Sequence, residues 1–186
     1  MMQITRSIAI DPGHGGSDTG AVSPGGKHRE KDVNLHLAAE LFARLQPAET
    51  IEPLLLRSAD CDLSLPRRVE RAERECADLY LSLHHNGFGD PTARGCETFC
   101  CPGGESERAA RLIQDMIISW LPVPDRGIKD GRNFYVIHST TMPAVLVEPL
   151  FLTSPADLEQ LEHSDYYAGL AEMLEKALMS WADSTI

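Results

Sequence analysis

The amino-acid sequence predicts an α/β layer fold built as a single domain. Three observations carry this expectation. Short apolar runs alternate along the chain with longer segments whose apolar residues recur at helical spacing. The apolar runs end abruptly in Pro, Gly or polar residues, as strands do where they leave a sheet for a loop. No internal repeat, low-complexity tract or linker divides the 186 residues, a length at which one domain buries roughly 70% of its unfolded surface.

Taken in order, the first strand covers residues 6–11 and runs into Asp11-Pro-Gly-His-Gly-Gly16. Glycines around His14 allow positive φ and close backbone approach to a ligand, so one imidazole is presented at the C-terminal end of a strand, where open α/β sheets bind ligands. Residues 12–29 form a Gly/Ser/Pro-rich loop, long enough to suggest function. From Lys31 to Leu45, Val33, Leu37, Ala38, Leu41, Phe42 and Leu45 mark a helix. Glu30 stands at or just before its N-terminus, where the helix dipole favours an anion. A short strand, residues 54–57, precedes a helix over 66–76 that Pro66 opens.

Residues 77–83 repeat the opening pattern: a buried strand that ends in His84-His85-Asn86-Gly87. A strand over 94–101 and a helix over 105–120 follow. A Pro/Gly loop, 121–131, is expected to lead to a strand over 134–138. The last strand, 143–148, ends on an acid, Glu148, and helices over 155–161 and 166–181 close the chain.

Composition narrows the function classes. A net charge of −11 and a pI near 5.0 argue against nonspecific nucleic-acid binding, which needs a basic face. Arg67, Arg68, Arg71 and Arg74 are interleaved with Glu70, Glu73 and Glu75 and read as a solvated helix face. No apolar run approaches the ~18 residues of a membrane span, and Met1–Arg6 lacks the apolar core of a secretory signal. The five cysteines, with Cys100 and Cys101 adjacent and no CxxC pair, resemble neither a disulfide framework nor a cysteine zinc site. Reduced, structural thiols are expected.

Strand ends and adjacent loops thus carry His14, Glu30, His84 and Glu148. Two neutral imidazoles and a carboxylate are a common three-ligand set for catalytic zinc, with the fourth position left to water. Zinc lowers the pKa of that water to ~7, and a carboxylate beyond the ligands, here Glu148, suits a general base. The candidate ligands lie 16 and 54 residues apart, so only a fold can assemble them.

Asp11-Pro-Gly-His-Gly-Gly16, Glu30-Lys-Asp-Val-Asn-Leu35, Leu56-Arg-Ser-Ala-Asp60 with Arg67 or Arg68, Ser82-Leu-His-His-Asn86, Gly95-Cys-Glu-Thr98, Arg126-Gly127, and Pro143-Ala-Val-Leu-Val-Glu148 with Phe151-Leu152 and Asp157 occur in this order. Together these blocks, from about Ile8 to Trp181, resemble the zinc-dependent N-acetylmuramoyl-L-alanine amidases of type 3. The resemblance implies a mixed, mostly parallel twisted sheet with helices on both faces. It implies zinc (Zn2+) on His14, Glu30 and His84, with Glu148 as the catalytic glutamate. The implied reaction is hydrolysis of the amide between the lactyl group of N-acetylmuramic acid and L-alanine in peptidoglycan. It further implies action on the cell wall, although the chain begins without an export signal. A zinc carboxypeptidase or deacylase acting on another amide, or an inactive wall-binding relative, would share the fold.

Three departures or open positions accompany the resemblance. His85 stands where the family often has a small residue, and with Asn86 is a candidate for supporting a ligand or touching substrate. His138 is a candidate of the same kind, better explained as a satisfied surface or core histidine. Cys100 and Cys101 stand where an aromatic is common. Between Cys101 and Trp120 only one ordinary helix fits, so no inserted autoinhibitory helix is expected, and no segment is left over for a wall-binding module.

Overall fold

The structure is a computed structural model that describes residues 5–183. Its centre is a six-stranded sheet formed by β1 (Arg6–Pro12), β2 (Ile51–Leu55), β3 (Leu79–Leu83), β4 (Cys96–Cys100), β5 (Asp125–Asp130) and β6 (Ala144–Glu148). The strand order is β2-β1-β3-β6-β4-β5. β1 pairs in parallel with β2 and β3, β3 with β6, and β4 with β5, while β4 and β6 run antiparallel. The sheet is therefore mixed and mostly parallel, as the sequence resemblance implied.

Alternation along the buried strands assigns side chains to two faces. Ile8, Ile10, Leu79, Leu81, Leu83, Val145 and Val147 point into one core. There they meet the apolar sides of α1 (Glu30–Leu45), α3 (Gly104–Trp120) and α6 (Tyr166–Asp183). Ala9, Tyr80, Ala144 and Leu146 point the other way, against Val69 and Ala72 of α2 (Leu65–Arg74) and Val136 and Ile137 of α4 (Tyr135–His138). A short helix, α5 (Pro155–Leu161), follows β6, with Pro155 in its first turn and the Ser154 side chain accepting a bond from the Asp157 N–H.

Two elements differ from the sequence expectation. The run Phe134–His138, aromatic and β-branched, forms one turn of helix: the N–H groups of Ile137 and His138 donate to the Phe134 carbonyl at 3.0 and 3.1 Å. Burial of Val136 and Ile137 together against the α2 side overrides their β propensity. The fifth strand is instead Asp125–Asp130, within the expected loop. It is an edge strand with no buried residue, so it carries no apolar signature, and its Asp, Arg and Lys side chains are typical of a protected edge.

The sheet topology puts the ends of β1, β3 and β6 side by side. Residues Pro12 and Leu83 are register partners, as are Leu83 and Val147. The segments leaving β1 and β3, which carry His14 and His84, therefore emerge at the same edge of the sheet as Glu148, the last residue of β6.

Candidate metal centre and active site

His14 is held in position by its own loop. It adopts a left-handed backbone, φ 61°, and Gly15 and Gly16 also have positive φ. The conformation is uncommon for a residue with a side chain, and here the strained residue is the histidine itself. Two buried arginines hold the loop. Arg57 donates to the carbonyls of Pro12, Gly13 and Lys31, each at 2.9 Å. Arg68 donates to the carbonyls of Pro12 and His14 at 2.7 and 2.6 Å, and to Asp11 at 2.5 Å. Asp11 in turn accepts from Tyr80 at 2.7 Å and Ser82 at 3.2 Å. Arg68 is thus not part of a solvated helix face: it is 2% exposed, its charge balanced by Asp11. The sequence placed it wrongly because burial of an arginine depends on a partner 57 residues away.

Three donor groups converge above this support. Glu30, the first residue of α1, lies between the two imidazoles, with Oε2 3.1 Å from His14 Nε2 and Oε1 2.8 Å from His84 Nδ1. One ligand atom from each residue lies within 4.8 Å of the others. His14 Nδ1 is 2.8 Å from Asp18 Oδ2. That carboxylate fixes the Nδ1–H tautomer and turns the Nε2 lone pair toward the cluster. Two imidazoles and a carboxylate, one imidazole oriented by a second carboxylate and the whole bordered by open cavities, fit a catalytic zinc ion with a position free for substrate.

Glycine makes the convergence possible. A Cβ on Gly13 would sit 2.2 Å from the His84 ring. At Gly20, φ +62°, it would sit 2.4 Å from Glu30 Oε2 and 2.6 Å from His14 Cδ2.

The electrostatics follow from this packing. Burial alone would raise the pKa of Glu30, but its bonds to His14 and His84 and their charges hold it well below the carboxylate range. Burial lowers that of His14, yet Glu30 and Asp18 outweigh burial and raise it. Glu148 behaves oppositely. Burial, then the charges of Glu30 and Glu97, push it well above the ordinary carboxylate value, and its Oε2 is buried without a hydrogen-bond partner. A divalent cation beside it would act in the reverse sense. A buried carboxylate beside a donor cluster is placed to exchange a proton with a group bound there.

His85 takes no place among the donors. Its ring is fully buried, with Nδ1 2.7 Å from Asn34 Oδ1 and Nε2 2.8 Å from Tyr166 Oη. Burial pushes its pKa down to about 3, so the ring is neutral, donating to Asn34 and accepting from Tyr166. It supports the cluster through its backbone, whose N–H reaches Glu30 Oε1 at 3.2 Å, and through Asn34, whose amide donates to Glu30 at 3.3 Å. Although its ring is buried, His85 lies along the cavity that also holds Glu148. Asn86 donates to Glu97 Oε1 at 2.6 Å and borders the same cavity as Glu148. His138 is exposed at the end of α4, Nδ1 3.1 Å from the Phe134 carbonyl, and borders neither cavity beside the cluster. Cys100 borders a separate cavity between α3 and β5.

Some residues of the site escaped the sequence reading. Asp18 and Asn34 each stand four residues beyond a candidate ligand, His14 and Glu30, and on a helix that spacing places Asn34 beside Glu30. Glu97 is the register partner of Glu148 across β4 and β6, and forms an ion pair with Arg126 at 2.7 Å. Nothing local in the sequence signals that pairing.

Known proteins share this arrangement of chain. Residues 8–180 match the family model described as N-acetylmuramoyl-L-alanine amidase. Over 181 residues the chain is 36% identical to the N-acetylmuramoyl-L-alanine amidase LytC of Bacillus subtilis, covering 96% of this chain and 36% of LytC. The crystal structure of an N-acetylmuramoyl-L-alanine amidase from Clostridium difficile 630 superimposes with a TM-score of 0.93 at 34% identity, covering 98% of this chain and 99% of that one. The catalytic domain of the amidase CwlV from Bacillus (Paenibacillus) polymyxa gives 0.91 at 33% identity, covering 96% and 99%.

Proposed function

The chain belongs to the N-acetylmuramoyl-L-alanine amidase family, and from that premise we propose that residues 1–186 form one zinc-dependent catalytic domain. It cleaves the amide joining the lactyl group of N-acetylmuramic acid to L-alanine in peptidoglycan. His14, Glu30 and His84 hold the zinc, and Glu148 handles the proton. The observation that carries this reading is the convergence of three donor groups within 4.8 Å, beside a buried carboxylate with an unpartnered oxygen in the same cavity.

When bound, zinc supplies Lewis acidity, drawing electron density from a carbonyl and easing deprotonation of water. The chain's own residues do the rest. Asp18 orients His14, and Asn34 and the His85 N–H hold Glu30, so that these two ligands are set before substrate arrives. Glu148 accepts a proton from the attacking water. The water oxygen bonds to the lactyl carbonyl carbon, the C–N bond breaks, and Glu148 returns the proton to the alanine nitrogen. The products are a lactyl carboxylic acid and a peptide with a free L-alanine amine.

The test uses the zinc-loaded protein and a purified muramoyl peptide, with products weighed by mass spectrometry. Release of a peptide beginning at L-alanine is expected, and Glu148→Gln is expected to slow it by about 10²- to 10⁴-fold while zinc content stays at one per chain. Hydrolysis by Glu148→Gln at the wild-type rate would overturn the role of Glu148. Cleavage at another amide would overturn the substrate.

A further inference from the structure

The donor cluster is flanked by two cavities. One, about 470 Å³, is lined by His14, His84 and Phe134 together with Asp62, Leu65 and Tyr135. The other, about 640 Å³, shares His14, His84 and Phe134 but adds Glu148, Phe88 and Thr153. Among the described residues four large apolar side chains are exposed, and three of them, Leu65, Phe88 and Tyr135, rim these two cavities. Exposed apolar side chains concentrated around a site mark a surface that contacts a ligand.

An amide substrate lying across the cluster must put its acyl half in one cavity and its amine half in the other. The position of Glu148 decides which. The amine nitrogen has to receive a proton as the C–N bond breaks, and Glu148, which carries it in the function proposed above, faces only the Phe88 cavity. We infer that the Phe88 cavity takes the stem peptide and the Tyr135 cavity takes the muramoyl sugar and the glycan beyond it. This assignment rests on the amidase reading.

The walls agree with it. Besides the apolar Leu63, Leu65 and Tyr135, the sugar side carries exposed carboxylates of Asp18 and Asp62 and the hydroxyl-bearing Ser64. Carboxylates accept bonds from sugar hydroxyls, and apolar or aromatic side chains cover the C–H faces of sugar rings. The peptide side is walled by backbone-rich segments, with Gly20, Ala21, Gly87 and Gly89 on its rim. That wall is fixed: the Phe88 N–H donates to Thr153 Oγ1 at 2.9 Å, and Asn86 exchanges backbone bonds with Leu150 and Leu152 at 2.9 and 2.7 Å.

The experiment compares kcat/KM over muramoyl peptides lengthened at one end at a time: the peptide from two residues to five, or the glycan from one sugar to four. Wild type, Phe88→Ala and Tyr135→Ala are assayed zinc-loaded, with circular dichroism and zinc content checking that each is folded and metallated. Wild type is expected to gain from lengthening either end. Phe88→Ala should lose about five- to tenfold of the gain from peptide and keep the gain from glycan, and Tyr135→Ala should do the reverse. The opposite pattern, equal losses at both ends, no loss in either variant, or no gain in wild type would overturn the assignment. If wild type cleaves no member of the series, the amidase reading fails and the assignment with it.

Discussion

His84 and His85 are neighbours in the chain whose rings face opposite ways. His84 Nδ1 meets Glu30 at 2.8 Å in the donor cluster, while the His85 ring is buried between Asn34 and Tyr166. They leave the end of β3, where successive side chains alternate between faces, so one histidine is presented to ligands and the next is delivered to the core. The two should therefore fail differently when removed. His84→Ala is expected to bring zinc below one per chain while the fold persists. His85→Ala strands the Asn34 carbonyl oxygen and the Tyr166 hydroxyl and leaves a void, at a cost of about 2–4 kcal/mol. Metal analysis beside urea unfolding separates them, and equal stability losses with equal zinc losses would contradict the division.

Gly20 and Gly25 both have positive φ, +62° and +80°, but only Gly20 has neighbours. Alanine at Gly25 meets nothing within 4 Å and should cost only the backbone strain, about 1 kcal/mol, with zinc binding intact. Alanine at Gly20 drives a methyl into Glu30 and His14. Zinc affinity is expected to fall by at least the 10–100-fold typical when groups around a ligand are disturbed. Competition with a fluorescent zinc chelator measures both, and matching affinities would contradict the prediction.

Asp11 and Arg68 form a buried ion pair, 1% and 2% exposed. Arg68→Met leaves the Asp11 charge uncompensated and frees the carbonyls of Leu63 and His14, while Pro12 keeps its bond from Arg57. About 3–5 kcal/mol of stability should be lost. Adding Asp11→Asn to Arg68→Met removes the stranded charge and should recover part of that loss. A double variant no more stable than the single one would show that the carbonyl bonds, not the charge, dominate.

All five cysteines are unpaired: Cys61 and Cys76 are exposed, Cys96 and Cys100 buried, and Cys101 intermediate. Burial first, then the charge of Glu107, pushes Cys100 up to about 11, and burial raises Cys96 further. Because the thiolate is the nucleophile, only about one Cys100 in a thousand is reactive at pH 8. Raising the pH toward 10 multiplies that fraction about tenfold per unit. Iodoacetamide at pH 8 should modify Cys61 and Cys76 first and reach Cys96 and Cys100 only slowly or after unfolding. Peptide mapping that finds Cys100 modified alongside Cys61 would refute this.

Local periodicity in the chain was enough to give the layer class, five of the six strands and the main helices, because buried strands and amphipathic helices write their burial into that pattern. The sequence also marked His14, Glu30, His84 and Glu148, since each sits where an apolar run or a helix meets a glycine- or proline-rich loop. Tertiary structure alone decided the rest. The edge strand Asp125–Asp130 has no buried face to imprint a pattern, and the turn at Tyr135–His138 is helical because of what Val136 and Ile137 pack against. The convergence of His14, His84 and Glu148 depends on β1, β3 and β6 lying adjacent, with Glu30 brought to them by the start of α1, and the burial of Arg68 and His85 depends on partners 57 and 81 residues away. Local spacing records which face a residue turns on its own element; which distant groups that face meets is set by the packing of the whole chain.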